Sequence, residues 1–207
     1  MSYDHDNEED DMTGTARIPA TEVTGLYGGV VKMFARKMFG EVPESIGYAW
    51  HNTRVLKDMM VLGRKIEKWD QIDEDLASYA HMAAAAAVGC SFCLDLNYFM
   101  SHNRGLDVAK AREVPRWRES EVFTPLERRV MEYAEAMSQT PVAVTDELVA
   151  ALLEDVGPAA LLELSARIGF MNATARNNVA LGIHSQEFAA ACGLEPLAAP
   201  SAGAVPA

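Results

Sequence analysis

Along most of the chain the apolar residues recur at steps of three and four, the spacing of one helix face, and no convincing stretch alternates with the period of two that a half-buried strand needs. Helix punctuation agrees with that period. Asp73 stands where it can cap a helix through "EDLASYAHMAAAAAV", and Gly89, suited to the left-handed turn that ends helices, stops it. Thr124, Pro125 and Glu127 make a capping box with proline at the first helical position, opening "PLERRVMEYAEAM", and Pro141 keeps that helix from extending. Thr145 can cap "DELVAALLED", which Gly157 ends, and Pro158 starts "PAALLELSARIGFMNATARNNVAL". Two earlier helices are expected around residues 24 to 39 and 52 to 68. The pattern predicts an all-α fold. In both halves a long apolar helix follows an acid-capped shorter one, a weak sign of an internally duplicated helical bundle. The alanines 83 to 87 give their helix little width, so a neighbour can approach its backbone closely.

Composition adds the boundaries. With 207 residues, 49% of them hydrophobic, the chain can bury one core, and a single helical domain is expected over residues 17 to 195. Residues 1 to 16 are acidic and poor in apolar side chains, and "PLAAPSAGAVPA", residues 196 to 207, is small and proline-bearing, so both are expected to be disordered tails. Six of the thirty acids lie in the opening eleven residues, and without them the formal charge falls from −12 to −6, an ordinary solvated surface. Arg36 with Lys37, and Arg64 with Lys65 and Lys68, alternate with apolar residues as helix faces do, so no nucleic-acid partner is expected. No apolar run is long enough for a membrane span and the N-terminus carries no basic signal, so the expected address is the cytoplasm, with no membrane partner.

The cysteines change the picture most. There are three, an odd number that argues against a secreted disulfide framework, and two of them stand as Cys90-x-x-Cys93 in "CSFCLDLN". Because Gly89 ends one helix, Cys90 falls at or near the first turn of the next, where free backbone N–H groups and the helix dipole stabilise a thiolate. Cys90, Cys93 and Asn97 then share one face, in reach for a disulfide and a contact from Asn97. Two buried small hydrophobes would give the same pattern. Structural zinc would need four ligands, and the sequence has neither a second Cys-x-x-Cys nor a paired histidine, so no metal and no cofactor are expected. The strands of a thioredoxin-like context are missing, which leaves redox chemistry on a helical scaffold as the favoured reading.

The acid-capped helix, then "VGCSFCLDLNYFMSHNRGL", then "LLELSARIGFMNATARNNVALGI" resemble the alkylhydroperoxidase D and carboxymuconolactone decarboxylase family over roughly residues 45 to 185. That resemblance implies an all-helical domain that forms homo-oligomers, commonly trimers or hexamers. It also implies a cofactorless dithiol oxidoreductase acting on a hydroperoxide or small disulfide, with an external thiol reductant as partner. Cys93 would attack the peroxide and Cys90 would resolve the resulting sulfenic acid. The family pattern has a glutamate twelve residues before the first cysteine and a histidine four after the second, where this chain has Ser78 and Asn97. Neither is a base at neutral pH, though both can donate a hydrogen bond.

His81, three residues from Ser78, is the nearest candidate for a substitute base, with Tyr79, Asp95 and His102 also close in sequence. Asp95 should point away from Cys93, and His102 is out of phase. Glu163, Asn172 and Arg176 are read as a buried polar network or pocket lining, Cys192 as a free thiol without function, and Tyr98, Phe99 and Met100 as core or subunit seam. Two other functions stay open: a decarboxylase-like lyase for a small carboxylated substrate, with Arg176 as its anion-binding candidate, and a non-catalytic oligomer that senses redox state.

Overall fold

A computed structural model describes residues 16–199, and among them every regular element is helical. The expected acidic tail lies outside the described residues except for Ala16. The chain opens with α1 (Gly25–Phe39), a short α2 (Glu44–Ala49) and α3 (Thr53–Ile66), matching the two early helices expected from periodicity and adding a turn between them. Then come α4 (Glu74–Val88), α5 (Ser91–Arg104), the one-turn α6 (Val108–Ala111), α7 (Pro125–Ser138), the long α8 (Asp146–Ala180) and a one-turn α9 (Phe188–Ala191). Sequence periodicity misses α2, α6 and α9 because pieces of one or two turns are too short to show a period.

The helix ends form as the local chemistry dictates. Asp73 Oδ1 accepts from the backbone N–H groups of Asp75 (3.0 Å) and Leu76 (3.2 Å), and the Thr124/Glu127 box closes in both directions. Gly157 breaks α8 at φ 77°, ψ 169°, a conformation open to glycine, and Pro158 restarts the helix behind it.

At the centre lies α4, with α5, α7 and α8 packed around it. Its Ala80, Met82, Ala84 and Ala85 are completely covered, and the small alanine side chains let the neighbouring helices close on its backbone. Arg104, at the end of α5, pairs with Glu74 at the start of α4 (3.4 Å), so the two helices run antiparallel from the turn at Gly89.

The early helices are placed differently. Only Gly28 and Ala35 of α1 are buried and only Ile66 of α3, while Leu26, Val30, Met33 and Phe34 leave a run of large apolar side chains open on α1. At the other end of the chain, the segment after α8 returns across α5. Tyr98 Oη donates to the Glu195 carbonyl (3.1 Å), Arg112 pairs with the Glu195 carboxylate, and the Ala198 N–H donates to the Arg112 carbonyl (2.9 Å). Residues 196 to 199, expected as the start of a disordered tail, are thus tied down, with Leu197 against the core. The reason is tertiary: the anchoring groups come from α5 and α6, which composition cannot reveal. Among the described residues no helix is long and apolar enough to cross a membrane.

Candidate functional site

Cys90 is the N-cap of α5, in extended backbone conformation just after the left-handed Gly89. Its sulfur accepts the Cys93 backbone N–H at 3.1 Å. The two sulfurs are bonded to each other, with the Cα atoms 5.3 Å apart, and both residues are buried (1% and 4% exposed). A helix N-terminus directed at one sulfur favours negative charge there, so the position suits a thiolate as well as a disulfide.

Side chains of α8 and α5 make the hydrogen bonds around the pair. From α8, Asn178 Nδ2 donates to Cys93 Sγ at 3.3 Å. Asn97, on α5, behaves otherwise than its spacing suggests: Nδ2 donates to the Cys93 carbonyl at 2.7 Å and faces Met171 Sδ of α8 at 4.0 Å, so it ties down the helix backbone and touches neither sulfur. On α4, Ser78 is buried, and His81 stands one turn nearer Gly89. His81 Nε2 is buried without a hydrogen-bond partner. Burial, with the positive charges of Arg167 and Arg104 beyond it, pushes the imidazole down to about 4, so the ring is neutral at pH 7 and a weak base. It makes no hydrogen bond to either cysteine.

The other residues read from the sequence lie elsewhere. Tyr79 is buried edge-on to Phe123 (ring centroids 5.7 Å), and His102 is exposed. Asp95 points away from Cys93, as its phase requires, and ties the C-terminal segment to α5. Its carboxylate accepts from Ser185 Oγ (2.7 Å), the Phe188 N–H (3.0 Å) and the Ala189 N–H (3.0 Å), capping α9. Tyr98 and Phe99 are core residues, and Cys192 is an exposed free thiol.

Glu163, Asn172 and Arg176 do not form the expected network. Glu163 pairs with Arg167 one turn along (2.8 Å) and accepts the Gln71 N–H (2.8 Å). Arg176 donates to the Ser138 carbonyl (2.6 Å) and Thr140 Oγ1 (3.2 Å), and Asn172 Oδ1 has no partner. Offsets of 9 and 13 residues do not keep side chains on one stripe of a helix, whereas the offset of 4 to Arg167 does. The same rule could have found Asn178. It continues the buried stripe Leu164, Ile168, Met171 and Ala175, on which a polar residue must meet something inside.

A pocket of about 430 Å³ opens at the far end of the α4/α5/α8 group, lined by Trp69, Asp70, Glu74, Arg104 and Arg167 among others, and no cysteine reaches it. Among the described residues no group of three or more His, Cys, Asp or Glu is placed to hold a metal ion.

Comparison with known proteins agrees with this geometry. Residues 55–136, which include the cysteine pair, match the model of the carboxymuconolactone decarboxylase family. The chain is 33% identical over 153 residues to the uncharacterized protein YnjA of Escherichia coli (strain K12), covering 73% of this chain and 84% of that one. Among solved structures, a cysteine-to-alanine variant of the debrominase Bmp8 in complex with 2,3,4-tribromopyrrole superposes with a TM-score of 0.72 at 18% identity, covering 87% of this chain and 97% of that one. An alkylhydroperoxidase AhpD core, an uncharacterized peroxidase-related protein from Ralstonia eutropha JMP134, gives 0.70 at 16% identity, covering 84% and 94%. At these identities the two structures speak for the fold alone. With the family match and the 33% identity to YnjA in agreement, the chain belongs to the carboxymuconolactone decarboxylase family and has its AhpD-like helical fold.

Proposed function

We propose that the chain is a thiol-dependent oxidoreductase in which Cys90 and Cys93 cycle between dithiol and disulfide, reducing an organic hydroperoxide or a small disulfide. The observation that carries this reading is the Cys90–Cys93 pair at the α5 N-terminus, with a separate N–H donor on each sulfur. In the forward step the Cys93 thiolate attacks the terminal peroxide oxygen, the O–O bond breaks, and the alkoxide leaves as an alcohol after taking a proton. The Cys90 thiolate then attacks the Cys93 sulfenic acid, hydroxide leaves as water, and the disulfide forms. Two electrons from an external thiol restore the dithiol. No step calls on a resident metal or cofactor.

Neither Asn97 nor Ser78 makes a hydrogen bond to a cysteine sulfur, and His81 holds a proton poorly, so the thiolate must depend on hydrogen bonds and the helix terminus rather than on a charged relay. A dithiol maintained by an external thiol suits a reducing compartment such as the cytoplasm. The run of open apolar residues on α1 supports a homo-oligomer, and one domain covering the packed helices completes the reading.

The test is the reaction of the reduced protein with an organic hydroperoxide, followed by peroxide loss and intact mass. One peroxide lost per subunit, a loss of two hydrogens in the wild type and a retained sulfenic acid in Cys90→Ser are expected. Thiols that stay reduced at millimolar peroxide would exclude the peroxidase. Small disulfides are then tried, with a halogenated pyrrole as an added probe because the debrominase relative binds one.

A further inference from the structure

The dithiol has one polar neighbour that lies far away in sequence. Asn178 sits near the end of α8, 85 residues from Cys93, and its Nδ2 is 3.3 Å from Cys93 Sγ. We propose that Asn178 is the positioning residue of the dithiol, its amide holding the Cys93 sulfur in place and stabilising negative charge on it. This rests on the dithiol reading above.

The argument starts from what each sulfur can obtain. Cys90 Sγ has the Cys93 backbone N–H, which the helix supplies whatever the side chains are. Cys93 is already inside α5, so its backbone N–H is directed at Cys90 and none is left for its own sulfur. A donor for Cys93 has to come from another element, and Asn178 is the side chain that provides it. A neutral sulfur accepts such a bond weakly. The bond strengthens once the sulfur carries charge, because a charge-assisted hydrogen bond is roughly twice as strong as a neutral one. Asn178 therefore favours the thiolate over both the thiol and the disulfide, the task that a charged relay would otherwise perform.

The rest of the surroundings leaves that task open. Titratable and charged groups on the packed elements include Tyr79 and His81 of α4, Asp95, Tyr98, His102 and Arg104 of α5, Glu163, Arg167 and Arg176 of α8, the last held by the Ser138 carbonyl and Thr140 Oγ1, and His184 in the segment that follows. His81 is neutral near pH 7. Asp95 is held by Ser185 and two backbone N–H groups, Tyr98 by the Glu195 carbonyl, and Arg167 by Glu163 and the Trp69 carbonyl. None of them makes a hydrogen bond to Cys93.

The test uses full-length protein with Cys90→Ser and Cys192→Ser, which leaves Cys93 as its one thiol. Its ionisation is followed by thiolate ultraviolet absorbance against pH, with Asn178 intact, as Asn178→Ala and as Asn178→Asp. The alanine variant should raise the Cys93 midpoint by about one pH unit, a roughly tenfold smaller thiolate fraction at neutral pH. The aspartate variant, with the shape kept but a charge in place of the donor, should raise it further. If Asn178→Ala fails to fold, Asn178→Leu, close in shape but without a donor or a charge, takes its place. A midpoint unmoved in the folded variants overturns the proposal, and a purely structural role would lower stability without moving the midpoint. Peroxide consumption by unsubstituted protein is measured alongside. A shifted midpoint without peroxide turnover sinks the peroxidase reading and leaves Asn178 its role, whereas turnover with an unmoved midpoint does the reverse.

Discussion

Helices α1 and α4 are each fifteen residues long, and each ends at a glycine in the left-handed conformation, Gly40 and Gly89. Nine residues of α4 are buried against two of α1. What separates them is side-chain size: α4 presents alanines on several faces and is enclosed by three helices, while α1 carries Leu26, Val30, Met33 and Phe34 outward. Capping and periodicity are enough to make a helix. Whether its apolar side chains meet their own chain or another is decided by what else folds nearby, and the Cys90–Cys93 pair lies beside the enclosed helix.

The largest break in that contrast comes from the charged pair inside the enclosed group. Glu163→Ala strands the Arg167 guanidinium, whose partner is 2.8 Å away in a buried pair, and should cost about 3–5 kcal/mol in urea unfolding. A loss under 1 kcal/mol would show that water reaches the pair. Next, Leu164→Ala, at a fully covered site on α8, should cost about 2–5 kcal/mol, while Leu26→Ala, 95% exposed on α1, should stay within about 0.5 kcal/mol. Equal losses in dilute, dissociated protein would erase the distinction between the two regions.

The third prediction concerns acid. The folded-state pKa of His81 is lowered from 6.5 to about 4 by burial, so between those values the unfolded chain binds a proton that the folded chain refuses. Its contribution is fully present above the unfolded value and is lost as pH falls through the window, by up to roughly 3 kcal/mol. Urea midpoints at pH 7 and pH 4.5 should converge in His81→Leu relative to the wild type, and an unchanged gap would place the acid sensitivity elsewhere. The smallest effect on protomer stability, within about 0.5 kcal/mol, is expected for Leu26→Lys combined with Met33→Lys on the exposed α1 surface. Sedimentation should nevertheless show smaller particles than the wild type. Identical particle mass would remove α1 from the assembly interface.

Much of the fold was legible because its signals are local. Asp73, Gly89, Thr124, Glu127, Gly157 and Pro158 act within one turn of where they stand, so spacing alone locates the helix ends and puts Cys90 at the start of α5. Contacts across the fold were not legible in that way. Asn178 meets Cys93 only when α8 is laid against α5, and the true partner of Glu163 is Arg167 at the helical offset, not the more distant Arg176. Asn97 shows a third case: it stands one turn along the helix from Cys93, but its amide reaches the Cys93 carbonyl rather than a cysteine sulfur.

The attachment of residues 185 to 198 to α5 and α6 also sets an order of events during synthesis. The carboxylate of Asp95 waits for Ser185, Phe188 and Ala189, and Tyr98 waits for Glu195, so the helix carrying both thiols obtains its cover only when residues 185 to 195 have left the ribosome. Until that moment Cys90 and Cys93 belong to an unfinished surface, and a nascent chain halted before residue 185 should label with a thiol reagent far faster than the released protein.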